Sequence, residues 1–165
     1  MDTSSPQTGG YFQILLLLAL IIPAIFFMLT QQNTLRVLKP ENRLMNPGLV
    51  WLQIIPLFGQ IWQFFVVSRI AKSIRKEIAF RQDDSILGFS DITAAEEQGK
   101  LPTFAIGITY CSLYTAGIII NGNGLEKPLL LTMIGGLGTL GGMICWIVYW
   151  VQLGQYLRKL RRFAL

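Results

Sequence analysis

Residues 128–151 read PLLLTMIGGLGTLGGMICWIVYWV and contain no charged side chain. The hydrocarbon core of a bilayer is about 30 Å thick, and a helix of about 20 apolar residues crosses it. This stretch therefore predicts a transmembrane helix. Three more uncharged, apolar stretches precede it, at residues 11–29, 47–67 and 103–120. Together they predict an integral membrane protein with one transmembrane domain over residues 1–165, an all-α bundle of four membrane-crossing helices.

The composition agrees with a chain that lies mostly in lipid. Hydrophobic residues make up 52% of the chain and charged residues 14%, whereas about a quarter of a soluble domain is charged. The net charge is +5. Because the Lys and Arg residues flank apolar stretches, we expect them to contact anionic lipid headgroups and not nucleic acid. The chain has no histidine, which excludes His-ligated haem and His-dependent nucleophiles.

Two segments predict amphipathic helices that continue from the membrane into the cytoplasm. After the second span, Ile70, Ile74 and Ile78 recur at every fourth position, with basic residues on another face. The predicted cytoplasmic loop, residues 68–102, changes from a basic half to an acidic half, and the tail after residue 151 is again amphipathic and basic. The basic side chains that we expect to dock lipid or a protein partner are Arg69, Lys72, Arg75, Lys76, Arg158, Lys159, Arg161 and Arg162.

The charge distribution allows two topologies. Four crossings put both termini and loop 68–102 on one side, with ten of the fourteen basic residues, so the positive-inside rule places that side in the cytoplasm. In the alternative, span 47–67 breaks at residues 56–59 and re-enters. The N-terminus is then outside, and thirteen of the fourteen basic residues are cytoplasmic. The length of span 47–67, enough to cross as one helix, favours four crossings with both termini cytoplasmic.

Small residues recur along one stripe on each of the last two spans. The stripe on span four includes Gly135, Gly138 and Gly142, and the stripe on span three includes Ala105, Thr109 and Ser112. Small side chains let helix backbones approach closely in lipid. The stripes therefore predict either the packing of these two spans as an antiparallel hairpin or a seam between copies of the chain.

Three glutamines mark the second span. Gln53, Gln60 and Gln63 fall on one helical face. A carboxamide exposed to lipid is costly because its donors and acceptors stay unsatisfied. The pattern predicts either hydrogen bonds between helices, with Thr109, Ser112 or Tyr114 as partners, or the lining of a path for a polar solute.

The spans lack the side chains of most membrane enzymes and pumps. None contains Asp, Glu, Lys, Arg or His, which argues against a proton pump or an ion-coupled transporter. The chain has no P-loop, GxSxG, HExxH or GxGxxG motif. We therefore expect no enzymatic activity, no cofactor and no metal site. Cys111 and Cys145 are expected to act as small apolar residues at a similar depth in the membrane.

Two motifs are similar to those of a known group of proteins. Residues 47–62 with their continuation SRIAKSI at 68–74, and CWIVYWV at 145–151, resemble small polytopic bacterial membrane proteins of unknown function. The resemblance covers about half of the chain. It implies the bacterial inner membrane as the location and carries no activity and no functional residues.

These observations favour a non-catalytic membrane protein, a small subunit or scaffold of a larger membrane assembly. Its partners would be anionic lipid and either another membrane protein or further copies of itself. Loop 68–102 would be the docking element. The alternative is an oligomeric channel or transporter for a small neutral solute, lined by Gln53, Gln60 and Gln63.

Overall fold

The computed structural model describes residues 8–84, 101–122 and 128–162, and these residues form helices and turns without a β-strand. Most of the acidic half of the predicted loop 68–102 lies outside the described residues. We number the α-helices α1 (Thr8–Val37), α2 (Phe58–Asp84), α3 (Phe104–Gly122) and α4 (Leu129–Arg162). Two 3₁₀ helices, Pro40–Asn42 and Pro47–Ile54, connect α1 to α2.

The second predicted span is not one helix. Residues 47–54 form a 3₁₀ helix, the chain turns at residues 55–57, and α2 begins only at Phe58. Pro56 lacks an amide hydrogen and its ring would clash with a preceding carbonyl of an α-helix. Leu57 then adopts a left-handed conformation with φ 62°, which reverses the chain. The prediction of a continuous helix over residues 47–67 is wrong, and the break falls where the re-entrant alternative placed it.

The two arms of this segment pack antiparallel. Trp62 Nε1 donates to the Leu49 carbonyl at 2.8 Å, and Gly59 lies against the Gln53 backbone so closely that a Cβ would not fit. Gly59 therefore contacts Gln53, and Trp62, further along α2, contacts the earlier residue Leu49. We call residues 47–67 the hairpin.

Helices α3 and α4 form a close antiparallel pair, as predicted. A Cβ added to Gly107 would meet the Tyr149 ring, and one added to Gly142 would lie 2.8 Å from the Tyr114 amide nitrogen. Residues nearer the end of α3 therefore contact residues nearer the start of α4, so the two helices are antiparallel. Gly117 is the third close approach, against Thr139.

Helices α1, α2 and α4 run in one direction, opposite to α3. On α1, Phe27 packs against Trp146, and Thr30 accepts a hydrogen bond from Trp150 Nε1 at 2.9 Å, so α1 and α4 are parallel. On α2, Gln63 lies near Thr115 whereas Val67 lies against Gly107, which makes α2 antiparallel to α3. The start of α1 and the end of α4 therefore lie at opposite ends of the molecule.

The molecule has an apolar surface at one end and a packed core at the other. Large apolar side chains are exposed along α1 and α4, including Ile14, Leu15, Leu129, Leu130 and Leu137. By length and composition, α3 and α4 could each cross a membrane. The core is built where α2 joins the other helices. Its fully buried side chains include Leu35, Val66, Val67, Ile70, Ile74, Tyr149 and Leu153.

Candidate functional site

A cavity of about 310 Å³ lies between α1, the hairpin, α3 and α4. Two of the three predicted glutamines, Gln53 and Gln63, line it, and no charged residue does. Aromatic and methionine side chains form most of the remaining wall. The lining residues are Ala24, Phe27, Met28, Gln53, Gln63, Tyr110, Tyr114, Met143 and Trp146. The cavity is therefore a mainly apolar site with a few carboxamide and hydroxyl groups.

Gln53 is held by α1 and by its own arm of the hairpin. Its Nε2 donates to Gln31 Oε1 at 2.7 Å and to the Val50 carbonyl at 3.0 Å. The carbonyl of Val50 can only accept, so this contact fixes which atom of the Gln53 carboxamide is the nitrogen. The carboxamide is thus anchored through its nitrogen.

Gln63 links the hairpin to α3. Its Nε2 lies 3.1 Å from Gln60 Oε1 and 3.4 Å from Thr115 Oγ1. The structure thus joins Gln60 to Gln63, while Gln53 bonds to α1. The predicted bonds between helices exist, but the partners are Gln31 and Thr115 and not Thr109, Ser112 or Tyr114.

Two further glutamines, Gln31 and Gln32, are buried on α1 and hydrogen-bond to the hairpin. Gln31 is fully buried on α1, and Trp51 Nε1 donates to Gln32 Oε1 at 3.2 Å. The Gln31 side chain also lies against the hydroxyl of the fully buried Tyr149. The sequence signal for these residues is a pair of adjacent glutamines one residue after the apolar stretch 11–29, within the same helix.

Phe27 closes one side of the cavity from the centre of an aromatic cluster. Its ring contacts Trp146 and Trp150 edge-on, with centroids 5.3 and 6.1 Å away. Tyr110 and Tyr149 complete the cluster at 6.2 and 5.9 Å. Such edge-to-face contacts restrain ring orientation, so this wall is well defined.

The α4 stripe of small residues packs against α3, but the predicted α3 stripe faces away from α4 and does not form the packing face of this helix pair. Gly135 and Gly142 are buried and Gly138 is partly buried. In contrast, the predicted α3 residues Ala105, Thr109 and Ser112 are exposed. Burial marks the opposite face of α3, at Gly107, Cys111 and Gly117. Cys111 and the partly buried Cys145 are both free thiols.

The predicted docking residues lie at the end of the molecule where α2 and α4 finish. Lys72, Arg75 and Lys76 are exposed, as are the four basic residues of the tail, Arg158, Lys159, Arg161 and Arg162. Arg69 is partly buried, with its guanidinium over the Phe65 ring at 4.6 Å. Arg81 Nη1 donates to the Leu160 carbonyl, which joins the two helix ends. We call this surface the basic end.

A buried carboxylate organises the basic end. Glu77 is fully buried and accepts hydrogen bonds from the Lys39 amide, Asn42 Nδ2 and Arg81 Nε at 2.8–3.0 Å. Burial alone would raise the pKa of Glu77. The bonds from Asn42, Arg81 and Lys39, with the Arg81 charge, outweigh it and hold that pKa below its ordinary value. Glu77 therefore stays ionised and fixes the α1–α2 connection on α2.

The described residues contain no cluster of three or more His, Cys, Asp or Glu side chains that could hold a metal. No family model matches the chain, and neither a curated protein nor a solved structure is similar to it.

Proposed function

We propose that this chain is a non-catalytic protein of the bacterial inner membrane that serves as a small subunit or scaffold of a larger membrane assembly. In this proposal α1, α3 and α4 cross the bilayer, while the hairpin enters and leaves on the same side. The supporting observation is the chain reversal at residues 55–57. Only ten residues, 58–67, remain in the α-helical arm, about 15 Å at 1.5 Å per residue, which is half of a bilayer core.

Charge supports the same topology. With the hairpin re-entrant, the parallel helices α1 and α4 both begin outside, and the basic end lies in the cytoplasm. Thirteen of the fourteen Lys and Arg residues then lie on the cytoplasmic side, with Lys127 as the exception. The positive-inside rule favours this over four crossings, which leave four basic residues outside.

The polar groups of the embedded part support a structural role. Both hydrogens of the Gln53 amide nitrogen bond to Gln31 and Val50, and Gln63 bonds to Gln60 and Thr115. These carboxamides hold helices together, which is the use expected of amides in lipid. The cavity lining contains no carboxylate, amine or imidazole that could transfer a proton at neutral pH.

Docking is expected at the basic end, first to anionic headgroups and then to a partner subunit. Lys72 and Arg75 are exposed there, and each basic residue near an anionic surface contributes about 1 kcal/mol of attraction. The test is purification from native membranes in a mild detergent with identification of whatever co-migrates. Lys72→Glu with Arg75→Glu should release the partner, and Lys72→Arg with Arg75→Lys should retain it. Equal co-purification of both double variants would contradict this docking surface.

An oligomeric channel or transporter for a small neutral solute is the alternative, because Gln53 and Gln63 line a cavity. Within one chain the route is blocked towards the basic end, where Val66, Val67 and Ile70 have no exposed surface. Such a channel would require a path between copies. Replacing Gln53, Gln60 and Gln63 with Leu would then abolish solute flux in liposomes, and unchanged flux would exclude it.

A further inference from the structure

We propose that the cavity beside the hairpin binds an uncharged amphiphile that carries a hydroxyl group. The hydroxyl would donate to a glutamine carbonyl oxygen, and the apolar part would lie along the aromatic and methionine wall. The inference goes beyond a scaffold role but rests on the proposed membrane location, because the ligand would enter from lipid.

The hydrogen-bond pattern decides the chemistry of the ligand's polar group. The Gln53 nitrogen is occupied by Gln31 Oε1 and the Val50 carbonyl, so the remaining polar atom of the carboxamide is Oε1. The Gln63 carboxamide is engaged by Gln60 and Thr115, whose side chains can each donate or accept. Within the described part of the chain, no donor bonds to Gln53 Oε1. A carbonyl oxygen that lacks a donor calls for a ligand that donates, as a hydroxyl does.

The wall excludes a charged ligand. None of the nine lining residues is charged, so an ion would lose its water without gaining a counter-charge, which is very costly. Phe27, Met28 and Trp146 instead offer a dry surface for an apolar chain or ring. The volume of about 310 Å³ is at the lower end of the range for small-molecule sites, about 300–1,000 Å³.

Access is from the side and not from the basic end. Met143 and Tyr114, which line the cavity, are 47% and 37% exposed on the outer surface of the bundle. Towards the basic end, Val66, Val67 and Ile70 close the core completely. A site open to lipid and closed towards the cytoplasm fits a ligand that partitions into the membrane.

Trp146 lines the cavity and reports on its occupant. The full chain would be reconstituted in lipid nanodiscs and titrated with 11-bromo-1-undecanol or with 1-bromoundecane, which lacks the hydroxyl. Bromine quenches indole fluorescence on contact, and the difference between the unmodified chain and Trp146→Phe isolates the Trp146 signal. We expect saturable quenching by the bromoalcohol at a mole fraction about tenfold lower than any effect of the bromoalkane.

Two variants and a control test the site. Ala24→Phe fills the cavity and leaves the glutamine bonds in place, so saturable quenching should disappear. Gln53→Leu removes the acceptor, so the two probes should become equivalent. Gln155→Leu, on the exposed surface of α4, should bind as the unmodified chain does. Gln53→Leu also breaks the hydrogen bond to Gln31, which can prevent the variant from folding. In that case the quenching of Ala24→Phe decides the test.

Equal quenching by the two probes in the unmodified chain, or saturable quenching that persists in Ala24→Phe, would overturn the proposal. Either result would leave the scaffold role intact, because that role is measured by co-purification. Conversely, loss of the partner subunit from the basic end would not alter quenching at Trp146.

Discussion

The contribution of Glu77 to stability depends on the segment that packs over it in the tertiary structure. In the sequence, Glu77 and Arg81 form an i,i+4 pair of the kind that contributes only about 0.2–0.5 kcal/mol on an exposed helix. In the structure the connection after α1 covers Glu77, and Lys39 and Asn42 add two hydrogen bonds. The carboxylate becomes a buried, fully bonded group whose loss leaves donors unsatisfied.

We predict that Glu77→Ala lowers the stability of the protein by about 3–5 kcal/mol, the cost of breaking a buried ion pair. Thermal unfolding of the purified protein in mild detergent measures the loss. Glu41→Ala is the matched control, because Glu41 is exposed and accepts from Lys76 only through its backbone carbonyl. Equal unfolding temperatures for both variants would contradict the role of Glu77.

The depressed pKa of Glu77 predicts a pH dependence. The carboxylate's contribution is complete above its unfolded-state pKa, near the ordinary value of 4.5, and is lost as the pH falls through the lower folded-state pKa. The difference in unfolding temperature between the unmodified chain and Glu77→Gln should therefore be constant above about pH 5.5 and shrink below pH 4.5. A difference that grows on acidification would be inconsistent with this sign.

At the scale of elements, the α3–α4 seam depends on particular glycines. A Cβ on Gly142 would lie 2.8 Å from the Tyr114 amide nitrogen, whereas nothing lies within 4 Å of one on Gly136. We predict that Gly142→Ala destabilises the protein by about 1–3 kcal/mol through overpacking. Gly136→Ala should be neutral or slightly stabilising, because alanine favours helix. Unfolding in detergent compares the pair, and a larger loss for Gly136→Ala would refute the seam.

Substitutions at two positions of the hairpin turn should change the stability in opposite directions. Leu57 has a left-handed φ of 62°, which costs a residue with a Cβ roughly 1–2 kcal/mol. Leu57→Gly should therefore be neutral or stabilising. Gly59→Ala should be strongly destabilising, since its Cβ would collide with the Gln53 backbone. Loss of stability in Leu57→Gly with none in Gly59→Ala would argue against the turn.

Local patterns in the sequence predicted some elements and not others. The apolar runs of α3 and α4 and their short connection predict an antiparallel pair, because hydropathy and loop length are local properties. The break near Pro56 was only an alternative, since proline is tolerated within membrane helices when neighbours satisfy the freed carbonyl. The break is stabilised by packing between the two arms, such as the hydrogen bond from Trp62 to Leu49. A one-dimensional sequence pattern carries no information about such contacts.

The packing face of α3 and parts of the site were missed for related physical reasons. In lipid both the buried and the exposed faces of a helix are apolar, so polarity does not mark the buried side. Ala105 and Thr109 form as plausible a stripe as Gly107 and Gly117. Gln53 and Gln63 were predicted because amides in an apolar run are costly. Their partners, such as Gln31 on another helix, follow only from the tertiary fold.

For the whole molecule, the proposed membrane placement implies a bundle that is incomplete on one side of the membrane. In the proposed placement the hairpin fills the cytoplasmic half, where the core lies, and leaves α1, α3 and α4 without a fourth helix in the other half. The cavity lined by Gln53 and Gln63 lies against the hairpin. The re-entrant topology thus accounts for the basic end, the closed core and the lateral opening of the cavity.

The most direct test of this topology is labelling with a membrane-impermeant thiol reagent. Glu41→Cys and Lys72→Cys would each be introduced into a Cys111→Ala, Cys145→Ala background, since both positions are exposed. The re-entrant hairpin places them on the same side, so both should be protected in intact spheroplasts and labelled in inverted vesicles. Labelling of Glu41→Cys from outside, with Lys72→Cys protected, would mean that residues 47–67 cross the membrane and would contradict the account.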